Sequence, residues 1–283
     1  MPELPEVQTV VNQLRKKTVG HTVVGFWTNT PKRVKVSVAK LKKAILGAKI
    51  IGTRRFGKHI VIDLDNDQSI LIHLKMTGHL LVKTPQNREG EAFTEDKMNG
   101  YIRHAFLLDR ETRIDFSDMR KFAWIDLSRS DEISKQAHIE KLGPDALAKD
   151  FTLENFNEIL KKYLKRLISV LLLDQEKIAG IGNIYRSEAL YRAGILPMRR
   201  TGRLTKKERE KLYLAIREVL REAVRLRGTS DGDFRDTDGR EGSFQKTLFV
   251  YGRTGKPCKR CDTIVMRKKI GQRSVFFCPK CQH

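Results

Sequence analysis

The first residues of the chain have the chemistry of a covalent catalyst. Pro2 follows the initiator methionine directly, and the carboxylates of Glu3 and Glu6 stand beside it. If Met1 is removed, Pro2 carries a free secondary amine, which can attack a sugar carbon as a lysine does in Schiff-base catalysis. An α-amino group titrates about two to three units below a lysine, so more of it is unprotonated near neutral pH. The sequence predicts a terminal amine nucleophile, with an ordinary acidic helix cap as the alternative.

The cysteines predict a metal site. All four lie in the last 26 residues, in the pattern C-x2-C, sixteen residues, C-x2-C. This spacing brings two thiolate pairs together on two tight turns, as in a tetrahedral zinc site. Disulfides are the alternative, but the chain has no other cysteine and no secretory leader, which favours zinc. Four thiolates leave no open coordination position, so we expect one structural Zn2+ ion, with the ligands Cys258, Cys261, Cys278 and Cys281.

The charge predicts a polyanionic partner. The chain has 56 Lys and Arg against 34 Asp and Glu, a formal charge of +22 that far exceeds what solubility requires. Residues 151–283 hold +15 of it, and residues 251–283 carry nine basic side chains against one acidic. A solvated surface accounts for any single lysine or arginine, but not for this total. We expect the second half to be the main nucleic-acid platform and the cysteine-rich end to grip phosphate.

Length and hydropathy narrow the class of protein. At 283 residues the chain is long enough for two modest domains. It has no apolar run near 20 residues and no charged-then-apolar leader, so neither a membrane span nor a secretory signal is expected. We expect a soluble, intracellular protein that acts as a monomer.

The apolar pattern of the first half predicts a helix followed by strands. Pro5 suits a first helical turn, and the apolar residues between positions 7 and 14 recur on one helical face. The positive end of this helix favours an unprotonated amine and ionised carboxylates. Residues 20–127 are short β-like runs broken by turn signals, which predicts a β-sandwich or flattened barrel. Residues 84–100 lack periodicity and should be a surface loop.

The second half is predicted to be helical. Residues 151–173 and 205–226 are amphipathic, and the latter segment opens with a capping box. Gly180-Ile181-Gly182-Asn183 precedes a further helix, and its glycines leave backbone N–H groups free to approach an anion. Residues 228–244 are rich in Gly and Asp, so we expect a mobile loop that fills no core and contacts substrate, with a simple connector as the alternative.

Seven segments together resemble one known family. They are MPELPEV at the start, FGKH at 56–59, HLKMTG at 73–78, LGPDAL at 142–147, GIGNIYRSEAL at 180–190, VYGRTGKPC at 250–258 and the final cysteine pairs. In this order, and over essentially the whole chain, they are similar to formamidopyrimidine-DNA glycosylases. The resemblance implies a bifunctional base-excision repair enzyme of the bacterial cytoplasm. Such an enzyme removes 8-oxoguanine and formamidopyrimidines from duplex DNA and cleaves the abasic strand by β- and δ-elimination.

The resemblance also implies the fold class, which is α+β. A catalytic β-sandwich with flanking helices would cover residues 1–130, followed by a linker at 131–145. A helix-two-turns-helix DNA-binding domain would cover residues 146–245 and include the mobile loop. A zinc finger on a β-hairpin would cover residues 246–283.

Four catalytic groups follow from the resemblance. Pro2 would attack the sugar C1′, expel the base and form an iminium intermediate, and Glu3 would shuttle the proton for ring opening and base departure. Lys58 matches the family lysine that contacts phosphate and assists elimination. Arg273 matches the arginine assigned to phosphate binding and δ-elimination.

Base extrusion needs groups that fill the hole left in the duplex. Met76, Arg120 and Phe122 match the family's void-filling residues, as an apolar plug, a cation for the orphaned cytosine and an aromatic wedge. Their plainer roles are core packing for the Met and Phe and solvation for the Arg. Further DNA or substrate contacts are implied for Glu6, His73, His104, Asn183 and Tyr251, with Glu6 chiefly a helix-end hydrogen-bonding partner.

The chain departs from the family pattern at two places. Met-Arg-Lys-Phe-Ala at residues 119–123 stands where the family has Pro-Arg-Arg-Phe-Gly, which alters the backbone freedom of the wedge. Ser169 and Val170 stand where a lysine-proline pair commonly precedes the Leu-Leu-Leu-Asp helix end. One base or phosphate contact is therefore missing, and Lys165 or Arg166 are candidates to replace it.

Two other functions stay open at this point. An endonuclease VIII-like glycosylase for oxidised pyrimidines is one, although the Leu4-Pro5 pair and the three void-filling residues argue against it. A catalytically silent, zinc-containing DNA-binding protein is the other. Everything from residue 145 onward fits that protein equally well, so the amino terminus discriminates between them.

Overall fold

The computed structural model describes residues 1–230 and 232–283, so Asp231 of the predicted 228–244 loop lies outside the described residues. The chain divides into two units. Unit 1 comprises Met1–Glu140 and Leu226–Gln245, and unit 2 comprises Lys141–Arg225 and Lys246–His283. Among the described residues, no helix combines the length and apolar character that crossing a bilayer requires.

Eight strands of unit 1 form two antiparallel sheets around its core. They are β1 (Val23–Thr28), β2 (Ile50–Phe56), β3 (His59–Leu64), β4 (Gln68–His73), β5 (His79–Lys83), β6 (Ile102–Leu108), β7 (Arg113–Ser117) and β8 (Trp124–Arg129). The sheet orders are β1-β6-β7-β5 and β2-β3-β4-β8. Apolar side chains from both sheets share one buried cluster, which confirms the predicted sandwich.

Helices cover this sandwich. The first is α1 (Leu4–Thr18), whose Val7, Val10, Val11 and Leu14 are all in the core cluster, as the sequence predicts. The others in unit 1 are α2 (Val38–Ile45), α3 (Glu91–Thr94) and α4 (Ala137–Glu140), with short 3-10 helices at Pro31–Arg33, Lys97–Gly100 and Ile133–Lys135.

Two segments predicted as loops contribute to the interior of unit 1. In residues 84–100, Phe93 and Asn99 are buried, and Asn99 Nδ2 donates a 3.0 Å hydrogen bond to the Gly239 carbonyl. Phe234 lies in the main core cluster. The prediction that the Gly- and Asp-rich segment 228–244 fills no core is therefore wrong at Phe234, because one aromatic side chain suffices to anchor a polar segment. The mobility of this loop stays a prediction.

Polar bonds hold the same segment to unit 1. The Thr237 N–H donates a 2.9 Å bond to Gln13 Oε1 on α1. Arg235, which is buried, pairs with Asp96 at 2.5 Å. The central residues of the 228–244 segment are thus attached to the rest of unit 1.

Unit 2 is helical and ends in a hairpin. Its elements are α5 (Leu153–Lys162), α6 (Ile168–Leu171), α7 (Asn183–Ala193), α8 (Lys206–Arg225), β9 (Met266–Ile270) and β10 (Arg273–Phe277), with a 3-10 helix at Thr201–Arg203; a further 3-10 helix at Phe244–Thr247 spans the boundary of the two units. The predicted capping box of α8 is present, because Thr205 Oγ1 accepts from the Glu208 N–H at 3.3 Å and Glu208 Oε2 accepts from the Thr205 N–H at 2.7 Å.

The predicted single helix over residues 151–173 is wrong. α5 ends at Lys162 and α6 begins at Ile168, and the residues between them pair with a distant segment. The Thr201 N–H donates to the Arg166 carbonyl at 2.9 Å, and the Ile168 N–H donates to the Arg199 carbonyl at 2.8 Å. These non-local bonds replace the helical ladder, and no local pattern reveals them.

Buried histidines should make unit 1 sensitive to acid. Burial is the largest cause that lowers the pKa of His59, His79 and His104 to about 4 from the ordinary value of 6.5. Between these two values the unfolded chain binds more protons than the folded chain, so stability rises with pH across that window. We expect the free energy of unfolding to be undiminished above pH 6.5 and to fall as the pH drops toward 4, as measured by denaturant titration.

His79 offers a variant that tests this assignment. Its ring is buried, and Nε2 bonds Asn99 Oδ1 at 2.9 Å. His79→Gln should lower stability at neutral pH and flatten the pH dependence by about one proton. An unchanged slope in that variant would contradict the assignment.

Candidate active site and metal centre

The amino end of α1 holds the predicted nucleophile and proton shuttle. Pro2 and Glu3 are buried directly before the helix, whereas Met1 is exposed. Glu6 Oε2 accepts a 2.7 Å hydrogen bond from the Glu3 N–H, which closes the first helical turn. The predicted helix-end hydrogen bond of Glu6 is therefore present.

Glu6 also bonds the segment that returns at residue 226. Its Oε1 accepts a 2.7 Å hydrogen bond from the Thr229 N–H, and its side chain is only 1% exposed. Gly228, with φ of +80°, lies so close that a Cβ there would be 2.6 Å from Glu6 Oε1. One carboxylate thus fixes both the Glu3 backbone and the base of the 228–244 loop.

Lys58 lies on the two-residue turn between β2 and β3. Gly57 precedes it with φ of +54°, and glycine is favoured at the first central position of such a turn. Lys58 is 9% exposed. The next residue, His59, faces His73 across the β3–β4 register, with ring centroids 4.7 Å apart. The turn therefore brings the predicted elimination lysine and the histidine pair into one region.

His73 is held as a neutral hydrogen-bond donor. Its Nδ1 accepts a 2.9 Å bond from the Lys75 N–H, so Nε2 carries the proton of the neutral ring. Burial lowers the pKa of His73 well below its usual range, and His59, Lys75 and Lys58 lower it further. A neutral Nε2–H can donate to a phosphate oxygen at any physiological pH.

One carboxylate joins the turns that carry Met76 and Arg120. Asp118 is buried, and its oxygens accept from the hydroxyl of Thr77, from the Arg120 N–H at 3.2 Å and from the Ala123 N–H at 2.8 Å. Thr77 Oγ1 also accepts from the Arg120 N–H at 3.1 Å. The HLKMTG segment and residues 118–123 are thus bonded to each other.

The same arrangement presents Phe122 at the surface. Its side chain is 44% exposed, and the Arg120 guanidinium lies 4.8 Å from its ring centroid. Lys121, between them, adopts φ of +56°. The departures from the family pattern therefore leave Arg120 and Phe122 side by side on a turn adjoining Met76. The void-filling role of these three residues stays a prediction.

His104 has an internal position. Its Nδ1 bonds Thr28 Oγ1 at 2.8 Å, its Nε2 lies 3.4 Å from Thr30 Oγ1, and its ring stacks on Phe26. Both ring nitrogens are thus used within the first sheet and its adjoining loop. A DNA contact by His104 stays a prediction, but the ring supports β1 and β6 whether or not it makes one.

In unit 2, Asn183 is the first residue of α7. Gly180 adopts φ of +98° ahead of the helix, and Gly182 caps it without a side chain. The N–H groups of the first turn are available to an anion in such a geometry, and the predicted anion contact stays a prediction. Asn183 Oδ1 accepts a 2.5 Å hydrogen bond from Arg186 Nη2.

Arg186 is a residue that the sequence did not single out. It is only 1% exposed, and its Nη1 donates to the Ser169 carbonyl at 3.3 Å. The candidates named for the missing contact lie elsewhere, since Lys165 is exposed and Arg166 pairs with Asp174 at 2.7 Å. The cation beside Ser169 is therefore Arg186. Its sequence position, with Glu188 and Arg192 in the same helix, gives no sign that it is buried.

Glu188 holds the segment that carries Tyr251. It is buried and accepts hydrogen bonds from the N–H groups of Phe249 at 3.0 Å, Val250 at 3.0 Å and Tyr251 at 2.9 Å. Burial raises the pKa of Glu188, and the three N–H donors oppose that rise. The Tyr251 ring packs edge-on against Phe276 of β10. Sequence reasoning also missed Glu188, whose place between Ser187 and Ala189 gave no periodic signal.

Arg273 begins β10 and is exposed. It follows a two-residue turn in which Gly271 adopts φ of +58°. Its neighbour Ser274 is tied to α7, because the Ser274 carbonyl accepts a 2.8 Å bond from Arg186 Nη2. The hairpin that presents Arg273 is therefore anchored to the helix that begins with Asn183.

The four cysteines form one cluster. All four sulfurs lie within 4.8 Å of one another. The distances between sulfurs in three of the pairs are 3.4 to 3.9 Å. A tetrahedron with Zn–S bonds of about 2.3 Å separates its sulfurs by about 3.8 Å, so the set fits zinc. A disulfide would need a distance of about 2.05 Å between two sulfurs. The Tyr191 hydroxyl lies 3.1 Å from Cys258 Sγ, where it can donate to a thiolate.

Models of three protein-domain families match consecutive parts of the chain. Residues 1–125 match the Formamidopyrimidine-DNA glycosylase N-terminal domain, and residues 142–234 match the Formamidopyrimidine-DNA glycosylase H2TH domain. Residues 255–283 match the zinc finger found in FPG and IleRS. With the geometry of its sulfurs, that match makes the cysteine cluster a structural zinc site.

Individual relatives are similar over their full length. The chain is 40% identical to Formamidopyrimidine-DNA glycosylase of Pelotomaculum thermopropionicum, with all of this chain and 99% of that protein aligned. It is 38% identical to the protein of the same name from Heliobacterium modesticaldum, over all of both chains. Its fold is similar to that of Lactococcus lactis Fpg in complex with abasic-site DNA, with a TM-score of 0.88 and 31% identity over all of both chains.

Glu6→Gln should destabilise the protein. The amide keeps one acceptor oxygen, and its NH2 group would face one of the two N–H donors of Glu3 and Thr229. An unmatched buried donor costs about 1–3 kcal/mol. We expect a loss of that size in the free energy of unfolding, measured by denaturant titration.

The matched control is Glu89→Gln, since the Glu89 side chain is 88% exposed. That change should alter stability by less than about 0.5 kcal/mol. Equal stability of the Glu6 variant and the unsubstituted protein would refute the bridging role of Glu6.

Proposed function

The chain belongs to the formamidopyrimidine-DNA glycosylase family, and from that premise we propose a two-step repair activity on duplex DNA. The enzyme extrudes an oxidised purine, such as 8-oxoguanine or a formamidopyrimidine, and removes it through a Schiff base at Pro2. It then cleaves the strand by β- and δ-elimination. The observation that carries the proposal is Pro2-Glu3 at the amino end of α1, where the Glu6 carboxylate holds the Glu3 backbone at 2.7 Å.

Base release follows from the chemistry of the terminal amine. Once Met1 is removed, the unprotonated Pro2 nitrogen attacks C1′, and the bond from C1′ to the base breaks. Glu3 passes the proton that the Pro2 nitrogen loses to the ring oxygen, which opens the sugar, and the departing base takes a second proton from water. The result is an iminium between Pro2 and C1′. The positive end of α1 disfavours a second positive charge beside it.

Strand cleavage follows from the iminium. The iminium makes the C2′ proton acidic, so a nearby base removes it and the C3′–O bond to phosphate breaks. A second elimination breaks the bond to the 5′ phosphate. Lys58 and His73 are the groups of unit 1 that we assign to phosphate, and Asn183 and Arg273 are those of unit 2. Each supplies an N–H donor or a positive charge for the departing phosphate.

Extrusion of the base leaves a gap that the enzyme fills. We assign the apolar plug to Met76, the cation for the orphaned cytosine to Arg120 and the wedge to Phe122. The bonds from Asp118 and Thr77 keep these residues on adjoining turns. Because these side chains are held in place before DNA binds, less conformational entropy is lost on binding. The partner is therefore double-stranded DNA with oxidised purines or abasic sites, and we place the enzyme in the bacterial cytoplasm as a monomer.

Borohydride trapping tests the nucleophile. With an 8-oxoguanine duplex, reduction should fix a covalent adduct, and peptide mapping should locate it at Pro2 of the chain that has lost Met1. Pro2→Gly should retain weak trapping through its primary amine. Glu3→Gln tests the proton shuttle, since it should bind the duplex almost normally and release no base.

Two results would overturn this mechanism. One is an adduct on any other side chain. The other is normal 8-oxoguanine release by the Glu3→Gln variant.

Zinc removal should weaken DNA binding. A four-cysteine site folds only with its metal, so a chelator should unfold the hairpin that carries Arg273. Loss of one charge-assisted contact costs about 1.5–3 kcal/mol, so we expect affinity for an abasic-site duplex to fall by about tenfold or more. Added Zn2+ should restore it. Unchanged affinity in a sample whose zinc loss is verified by mass spectrometry would contradict the expectation.

A further inference from the structure

A buried arginine connects three segments of unit 2. Arg186 lies in the middle of the first half of α7 and is 1% exposed. It donates to the Ser169 carbonyl of α6 at 3.3 Å, to Asn183 Oδ1 at 2.5 Å and to the Ser274 carbonyl of β10 at 2.8 Å. A planar guanidinium has five N–H donors in a fixed fork, so it can hold three oxygens in one relative geometry.

This arrangement decides which way the Asn183 amide faces. A guanidinium only donates, so the atom of Asn183 that meets Arg186 must be Oδ1. The NH2 group of the amide then points away from Arg186 with its donors directed elsewhere. At the start of α7, where first-turn N–H groups favour an anion, those donors add to the same anion site.

The arrangement also fixes the strand beside Arg273. Ser274 is the next residue of β10, and its carbonyl is bonded to Arg186. Arg273 itself is exposed, so only its backbone is constrained. The same guanidinium therefore sets both the amide of Asn183 and the starting point of the Arg273 side chain.

Ser169, whose carbonyl is bonded to Arg186, also has a buried hydroxyl. Ser169 is fully buried, yet its Oγ has no hydrogen-bond partner among the described residues. A buried hydroxyl without a partner is unfavourable, so Ser169 adds to the polar groups that are packed around Arg186. Its backbone carbonyl is the one that Arg186 holds.

We propose that Arg186 is the positioning residue of the phosphate site of unit 2. It holds Asn183 and the β10 strand so that the Asn183 amide and the Arg273 guanidinium meet one DNA phosphodiester. Arg186 acts through these two residues and does not touch the phosphate. The proposal rests on the proposed function, because it takes duplex DNA to be the ligand.

The test uses the full zinc-loaded protein and a duplex with a tetrahydrofuran abasic analogue, which cannot be cleaved. Arg186→Lys keeps the charge but loses the fork, so affinity should fall about tenfold. If Arg273 is misplaced as well, the slope of log K against log salt should shrink by about 0.9. Arg192→Lys is the matched control, because Arg192 lies on the same helix and pairs with Glu218 and Glu222 instead. It should leave affinity unchanged.

A double-variant cycle separates positioning from general stability. If Arg186 acts through Asn183, Arg186→Lys should weaken binding much less in an Asn183→Ala background than in the unsubstituted protein. Wild-type affinity of Arg186→Lys, or effects of the two changes that simply multiply, would overturn the proposal. Zinc content and thermal unfolding are measured for each variant.

Asn183→Asp keeps the test valid if Arg186→Lys does not fold. The carboxylate still accepts from Arg186, so the fold should be at least as stable, but it offers no donor and repels phosphate. Affinity should fall more than about tenfold, and unchanged affinity would overturn the proposal. If the unsubstituted protein forms the Pro2 adduct while Arg186→Lys binds normally, only this inference fails. If it does not bind damaged DNA at all, the proposed function fails, and this inference with it.

Discussion

Buried carboxylates bonded to backbone N–H groups determine where the functional segments of this protein lie. Glu6 accepts from Glu3 and Thr229, Asp118 from Arg120 and Ala123, and Glu188 from three consecutive residues that end at Tyr251. A buried charge is unfavourable unless donors surround it, and a loop backbone is unfavourable in the interior unless acceptors meet it. Each pairing gives the buried carboxylate its donors and the buried loop backbone its acceptor. Turns and loop bases can therefore be held as firmly as strands.

Helix α7 likewise positions several functional segments through its polar side chains. In eleven residues this helix presents Asn183 at its amino end, Arg186 to the hairpin, Glu188 to the segment before the zinc finger and Tyr191 to a zinc-ligand sulfur. Asn183 and Arg186 lie on one side of the helix and Glu188 and Tyr191 on another, since residues three apart share a face, so one helix contacts several segments. The zinc site and the proposed phosphate site are thus not independent features. Both are organised by the same short element.

Local signals in the sequence were sufficient to predict much of the fold and of the candidate site. Pro5 and the apolar spacing after it define α1, the cysteine spacing defines the zinc site, and the capping box locates the start of α8. The motif resemblance also located Met76 and Arg120, which the structure places on adjoining turns. What escaped prediction depends on contacts between distant residues. The break between α5 and α6 arises from pairing with residues 199–201, and Phe234 enters a core that its polar neighbours do not suggest. Arg186 was missed because an isolated arginine is normally solvated, and its burial depends on acceptors in distant segments.

The discontinuity of unit 1 has a consequence for how the protein is made. Its first 140 residues leave the ribosome well before residues 226–245, which supply Phe234 and the Thr229 N–H. At about 5–20 residues per second, the nascent sandwich stays incomplete for about 5–20 s. During that interval an apolar slot and the buried end of Glu6 are open to water and to other chains. Synthesis of this protein therefore includes a period in which chaperones have a defined surface to bind, and truncation before residue 229 leaves that surface exposed permanently.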